Sequence, residues 1–454
     1  MQMCGKVDGA EKKVEDGETV KTARKTKTVP WKVQMVMIWA SQALSLMGFS
    51  FSLAFAPYFI QEDLGVGIGQ GLEMWVALFT SSTAVTMALA APVWGWLADR
   101  HGKRIMLLRA NFGGAACMSL MAMVTSPGVL IALRSVQGLL TGTMTAAQTY
   151  LSASVPSDKR GLAMGGLSAA VYSGTMGGAF FGGLVAKAVG YRWAFGVSGV
   201  VLLLSGLLVL LGTAEPADVT PRKAEPQEGG KEARWRVPGL VWGVLGLVLA
   251  VSLARQFDLS FLPLLVQDIH GKLDADVALW NGLVNACGSV AGLLAGVLTG
   301  WLADRMRPFA LMIAGSLMAA VFSGSQMGVD SFGVLFPVRF STIFGAGTLE
   351  PALNAWIARN VAEGRQGVVF GLSSTARSVG WSIGPLLAGV VATWQLRAVF
   401  GVSCGAYILL AIACALMLRR SRAVSAVAGR AKVEGFGRAK VEGSRKDFHC
   451  GGMS

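Results

Sequence analysis

Gly95-Trp96-Leu97-Ala98-Asp99-Arg100-His101-Gly102-Lys103-Arg104 lies between two long apolar runs. Two glycines, one acid and three strong bases in so short a stretch read as a tight basic turn joining two membrane helices. A degenerate copy, Gly300-Trp301-Leu302-Ala303-Asp304-Arg305-Met306-Arg307, follows, with Asp304 placed 205 residues after Asp99. The same spacing relates Arg134 to Arg339 and Gly142 to Gly347. A spacing of 206 relates Pro57 to Pro263, and Gly165, Gly174 and Gly178 to Gly371, Gly380 and Gly384. The chain is therefore read as two homologous halves.

Composition says what kind of halves these are. Of 454 residues, 53% are hydrophobic and 15% charged, with a mean hydropathy of +0.55. The apolar residues come in runs of about twenty or more, the length that crosses a bilayer core as helix. Twelve spans are predicted, at 33–58, 72–95, 104–126, 128–152, 161–187 and 192–213, then 238–266, 277–301, 308–329, 332–356, 366–391 and 395–418. The expected fold is an all-α membrane protein of two pseudo-symmetric six-helix bundles, over 33–213 and 238–418. A polar tail (1–32), a linker (214–237) rich in Pro, Glu and Lys, and a basic tail (419–454) complete it.

The net charge of +14 fits this better than it fits nucleic acid. One set of loops carries Arg100, Lys103, Arg104, Lys159, Arg160, Arg305, Arg307, Arg359 and Arg365; the other carries Glu62, Asp63, Asp268, Asp274, Asp276 and Asp330, with Lys272 the main basic exception. By the positive-inside rule the basic set, both tails and the linker belong in the cytoplasm, which makes the chain a multi-pass protein of the cell inner membrane. The first thirty residues have no apolar core and are not read as a cleavable signal. The six cysteines show no C-x-x-C spacing, no metal-ligand cluster is apparent, and no G-x-x-x-x-G-K-[ST] loop is present. No cofactor or metal is called for, and the chain is not read as an enzyme.

Charges inside the spans are the sharpest clues, because each is expensive in a bilayer. They are Arg134, Arg255, Asp258, Arg339, Glu350 and Arg377. Asp258 has Arg255 three residues before it, so a local ion pair is its expected role. Glu350 has no cation within four residues and is the preferred candidate for reversible protonation, with Asp258 second. The competing reading for both is structural pairing with Arg339, Arg377 or Arg134. His101, His270 and His449 fall in loops or the tail, which leaves no histidine relay within the spans.

With these residues in hand, the chain resembles the major facilitator superfamily, in particular its twelve-helix drug:proton antiporters. The turn matches the family signature at Gly95, Leu97, Asp99, Arg100, Gly102, Lys103, Arg104 and Leu107, and Arg134-Ser135-Val136-Gln137-Gly138 is similar to a second motif. Gly165, Gly174, Gly178 and Gly182 resemble the antiporter motif, with Ala179 where that motif has proline; Gly371, Gly380, Gly384 and Pro385 repeat it. The resemblance implies export of amphiphilic compounds driven by proton entry. It also implies that Asp99 docks on the start of span eleven near Gly367 when the cytoplasmic side closes, and that Asp304 mirrors it near Gly161. Spans one, four, seven and ten would line the cavity. Gln42, Phe51, Phe257, Asn281 and Asn285 are the candidate wall residues. The expected partners are a small-molecule substrate, protons and lipid, with a monomer as the working unit. The alternative is a carrier of one metabolite, its arginines suiting an anion.

Overall fold

The structure is a computed structural model that describes residues 29–156, 159–215, 239–303, 305–361 and 363–419. Nearly all of both predicted tails and of the linker lies outside these residues, as does Asp304; of Gly95, Asp99, Gly161 and Gly367 only the helical backbone is described. The first half holds α1 (Trp31–Glu62), α2 (Leu72–His101), α3 (Lys103–Met121), α4 (Pro127–Leu140), α5 (Thr143–Ser154), α6 (Arg160–Val189) and α7 (Tyr191–Gly212). The second holds α8 (Gly239–His270), α9 (Ala275–Ala303), α10 (Pro308–Ser325), α11 (Phe332–Gly347), α12 (Leu349–Asn360), α13 (Glu363–Trp394) and α14 (Ala398–Arg419). With α4 continuing into α5 and α11 into α12, these make twelve paths across a bilayer. Among the described residues nine helices are long and apolar enough to span by length and composition alone. α13 falls below that mark because Ser373, Ser374, Thr375, Arg377 and Ser378 crowd its first half.

The duplication is visible in contacts as well as in sequence. α1 packs on α6 and α7, as α8 packs on α13. Gly174 and Gly178 of α6 lie against the Ala43 and Met47 carbonyls of α1; Gly380 and Gly384 of α13 lie against those of Leu249 and Leu253 on α8. A Cβ at Gly178 would come within 2.5 Å of the Met47 carbonyl oxygen, so only glycine permits this approach. Ser198 Oγ donates to the Gly48 carbonyl in one half and Ser403 Oγ to the Ala254 carbonyl in the other. Gly165 and Gly371, the first members of the two glycine motifs, have open space where a Cβ would stand and pack against nothing. On α9, Gly288, Gly292, Gly296 and Gly300 recur every four residues, a spacing that suits a helix seam, but Gly296 and Gly300 are equally open, so the run is no continuous seam.

Symmetry fails at the middle of span four. Thr141 and Gly142 interrupt it, Gly142 with φ +120°, whereas its counterpart Gly347 passes through a helical Thr348 into α12. The carbonyls near the interruption are taken by side chains. Thr141 Oγ1 bonds Gly138, Trp94 Nε1 bonds Leu139, Arg109 Nη2 bonds Thr141 and Gln42 Nε2 bonds Thr143. Arg109 also stacks on Trp94 at 3.4 Å from the ring centroid. It is a buried-span charge that the sequence analysis did not single out.

The halves meet through α6 on α9 and α2 on α13. The contacts gather at the end opposite the Asp99 turn, where Gly183 abuts Ala278 and Leu279, and Gly389 abuts Ala77. Following one stripe of α6 shows what this does. Ala179 and Gly183 touch α9, Tyr172 and Thr175 line a cavity, and Gly165 and Ser168 are exposed. The interface is thus sealed at one end and parted at the end bearing the turn. A Cβ at Gly282 would stand 2.5 Å from the Ala179 carbonyl oxygen in the seal. Gly282→Ala is therefore expected to loosen it by at least about 1 kcal/mol, about fivefold in population. A cysteine placed at Gln61, with the native cysteines removed, reads this as faster labelling by an impermeant maleimide; an unchanged rate would show that the seal tolerates the methyl.

Candidate functional site

Between the halves lies a cavity of about 290 Å³. The first half gives it Leu53, Pro57, Ile60, Val76 and Phe79, with hydroxyls from Ser50, Thr80, Tyr172 and Thr175. Both of its guanidinium groups (Arg255, Arg339) and both of its amides (Gln256, Asn285) come from the second. Apolar and polar walls thus face each other, as suits an amphiphile. Of the five wall residues expected from sequence, Asn285 alone lines it. Gln42 is fully buried against the span-four interruption, and Phe51 and Phe257 are packed into the apolar core. Asn281 donates to the Ala54 carbonyl across the halves at 2.7 Å. Helical periodicity identifies which residues share a face; it does not say whether that face meets a cavity or a neighbouring helix.

The charges pair across helices rather than along them. Asp258 Oδ2 accepts from Arg339 Nη1 at 2.9 Å, and both side chains are 1% exposed. The local Arg255–Asp258 ion pair expected from the sequence does not form. Arg255 instead reaches Glu350 at 3.5 Å, and Arg377 holds the same carboxylate at 3.0 Å. Glu350 therefore has two cations, contrary to the inference drawn from its sequence neighbours. Its partners come from α8 and α13, 95 residues before it (350 − 255) and 27 after it (377 − 350), separations invisible to an i±4 rule. Unlike the Asp258 pair, this triad is accessible, with side chains 27–36% exposed. Arg134 does not line the cavity; it is buried, bonded to Gln137 Oε1 at 2.5 Å and stacked 4.4 Å from the Phe79 ring centroid.

At the sealed end, four more cross-half hydrogen bonds join that of Asn281 in closing the cavity. Gln61 and Gln267, equivalent residues of the duplication, exchange amide hydrogen bonds at 2.7 and 2.9 Å. Tyr58 donates to the Pro263 carbonyl at 2.7 Å and Tyr191 to that of Asp274 at 3.0 Å. Lys187 and Asp276 add an ion pair at 2.6 Å. Nearby, each half carries its own clamp. Arg192 of α7 binds Asp63 after α1 and the Ala122 and Val124 carbonyls after α3; Arg397 binds Asp268, Asp330 and the Met327 carbonyl. The hydrogen bonds that Arg397 donates to Asp330 and then to Asp268 raise its pKa. Sequence inspection passed over both clamps, although Arg192-x-x-Phe195-Gly196-Val197 recurs as Arg397-x-x-Phe400-Gly401-Val402 at the same spacing of 205. They also correct the charge census: this end carries Lys187, Arg192 and Arg397, each neutralised by an aspartate.

At the parted end, Gly102 (φ +100°) ends α2 and starts α3. The Glu215 carboxylate accepts from the backbone N–H of Lys103 at 2.6 Å and of Arg104 at 3.2 Å, at the positive end of α3. Arg100 stacks back over Trp96 at 4.0 Å and Arg305 over Trp301 at 3.9 Å, so the repeated Trp and Arg of the two turns form a repeated contact. The expected Asp99 and Asp304 dockings fall on side chains outside the described residues.

Comparison with known proteins agrees with this architecture. Residues 38–324 and 272–446 match the family described as Major Facilitator Superfamily. Over 398 residues, 87% of this chain and 95% of the relative, it is 31% identical to multidrug resistance protein MdtG of Enterobacter lignolyticus (strain SCF1). Identity is again 31% over 395 residues to the MdtG protein of Citrobacter koseri, covering 87% of this chain and 97% of that one. Among solved structures, the nucleoside transporter NupG superposes with a TM-score of 0.70 at 12% identity, covering 85% of this chain and 99% of that one. A bacterial homologue of the human lysosomal transporter Spinster, inward-facing and occupied, gives 0.66 at 16%, over 86% and 96%. Two duplicated bundles around a cavity, a matched family over most of the chain and relatives alike over their whole length lead to one assignment: this is a multi-pass membrane transporter belonging to the major facilitator superfamily.

Proposed function

We propose that the chain exports amphiphilic small molecules, drugs among them, in exchange for protons, by alternating access between the bundles at 33–213 and 238–418. The observation that carries this is the cavity itself. It is sealed at one end by the Gln61–Gln267 exchange and its neighbours and parted at the other, and Arg255 of its lining reaches the accessible Glu350 carboxylate, which Arg377 also holds. With the basic turns and both termini in the cytoplasm of a cell-inner-membrane protein, this is the inward-open form, ready to load from inside. The docking of Asp99 on the start of α13 is then proposed to belong to the form closed on that side.

Glu350 is the proposed proton carrier. Its carboxylate is accessible and bridges Arg255 of α8 and Arg377 of α13. Asp258, locked to Arg339 out of solvent, is proposed to be structural. The working unit is taken as a monomer. The second reading, a carrier of an anionic metabolite, is favoured by one feature: the cavity lining contains two arginines and no carboxylate.

The test is a lock. Cysteines at Gln61 and Gln267, in a background lacking the six native cysteines, are joined by a short reversible thiol crosslinker in proteoliposomes. Crosslinking is expected to reduce gradient-driven dye efflux at least about tenfold, and reduction to restore it, because loading and release need opposite ends open. Full transport by the crosslinked protein would refute alternating access at this seam.

A further inference from the structure

The cavity wall holds two polar atoms that the fold leaves without partners. Arg339 is 1% exposed and commits Nη1 to Asp258, yet its buried Nε–H meets no acceptor. Ser260, two residues beyond Asp258 on α8 and 7% exposed, has an Oγ that is likewise buried and unbonded. Both residues line the cavity. Leaving a buried donor unpaired is costly, and folded proteins keep few such groups without a use for them.

Gly288, another residue of the cavity lining, lies beside this guanidinium. A Cβ there would stand 3.3 Å from Ile343 Cγ1 and 3.9 Å from Arg339 Nε. Glycine at this position keeps the Nε edge of the guanidinium clear of a further side chain. Asn285, three residues earlier on the same helix and also lining the cavity, directs its Nδ2 to Asn281 and so keeps its Oδ1 as an acceptor.

We propose that Arg339 Nε and Ser260 Oγ form a subsite for a hydrogen-bond-accepting group of the substrate, such as an ester or amide carbonyl, with Asp258 as the positioning residue that fixes the guanidinium. The Asp258–Arg339 pair carries no net charge. The subsite therefore selects for an acceptor rather than for a sign, and a neutral carbonyl suits it as well as an acid does. Apolar parts of the same molecule rest on the facing wall of Leu53, Pro57 and Phe79. This rests on the reading of the cavity as the substrate site.

Equilibrium binding to the purified full-length protein in nanodiscs tests the subsite apart from pumping. Rhodamine 6G, a cation bearing an ester carbonyl, is compared with tetraphenylphosphonium, a cation with no acceptor. Gly288→Ala, which sets a methyl against the Nε edge, and Arg339→Lys, which keeps a cation opposite Asp258 but removes the Nε donor, are each expected to weaken rhodamine 6G about tenfold. Ser260→Ala, which removes an already unbonded hydroxyl and so spares the fold, should weaken it about threefold. Tetraphenylphosphonium should change by less than about twofold in all three. Equal losses for both probes, or no loss for either, would overturn the subsite. If the unaltered protein binds neither probe, the cavity reading falls and the subsite with it. If it binds both with the selective losses but pumps neither, the subsite stands and the exporter reading fails.

Discussion

Glu350→Gln is expected to lower proton-driven efflux on the order of 100-fold, the scale of losing a positioned proton-transfer group, while substrate exchange at equal pH on both sides persists. The argument rests on where the carboxylate sits. It bridges Arg255 of α8 and Arg377 of α13 at 3.5 and 3.0 Å, so its charge state sets the attraction among three helices of the second half. A glutamine cannot ionise, and the triad then stays in one electrostatic state whatever the gradient. Because the three side chains are about a third exposed, the unpaired arginines remain hydrated and folding should survive. Proteoliposomes with an imposed pH difference report driven efflux, and counterflow without one reports exchange. Equal loss of both would mean that Glu350 serves binding or folding. Loss of neither would remove it as the carrier.

Asp258→Asn is expected to have the largest effect on stability, about 3–5 kcal/mol, the usual penalty for stranding one member of a buried ion pair. Arg339 would keep its charge at 1% exposure with no carboxylate to answer it. Replacing both residues together, Asp258→Leu with Arg339→Met, should recover most of the loss, since no lone charge is left inside. Thermal unfolding in detergent, followed by loss of the monodisperse peak, separates these outcomes. A single variant as stable as the parent would show that water reaches the pair, and Asp258 would return as a rival proton carrier.

The large-scale plan was legible in the sequence because it is written twice. The turns at Asp99 and Asp304, the prolines at 57 and 263 and the glycines of spans five and eleven align without any reference structure, and the contacts of Gly178 and Gly384 with α1 and α8 match that alignment. The pairing of charges was not legible. Arg255 and Asp258 share a helix face, yet each is satisfied by a residue more than eighty positions away, and a single sequence records no such distances. Cavity walls failed for a related reason. Phe51 and Phe257 are apolar residues beside the repeat prolines, and nothing in their spacing separates a ligand wall from a helix seam. Arg192 and Arg397 were within reach of inspection, since a shared Phe-Gly-Val follows each of them at the common spacing.

The interruption at Gly142, with no equal at Gly347, bears on how the molecule bends. Span four is two short rods jointed at mid-depth, and the side chains of Gln42, Trp94 and Arg109 serve as its bushings. Span ten is a single shaft. One copy of the ancestral unit can thus yield near its centre while the other transmits torque from end to end, so inheritance from a common template does not oblige the two to share the work evenly.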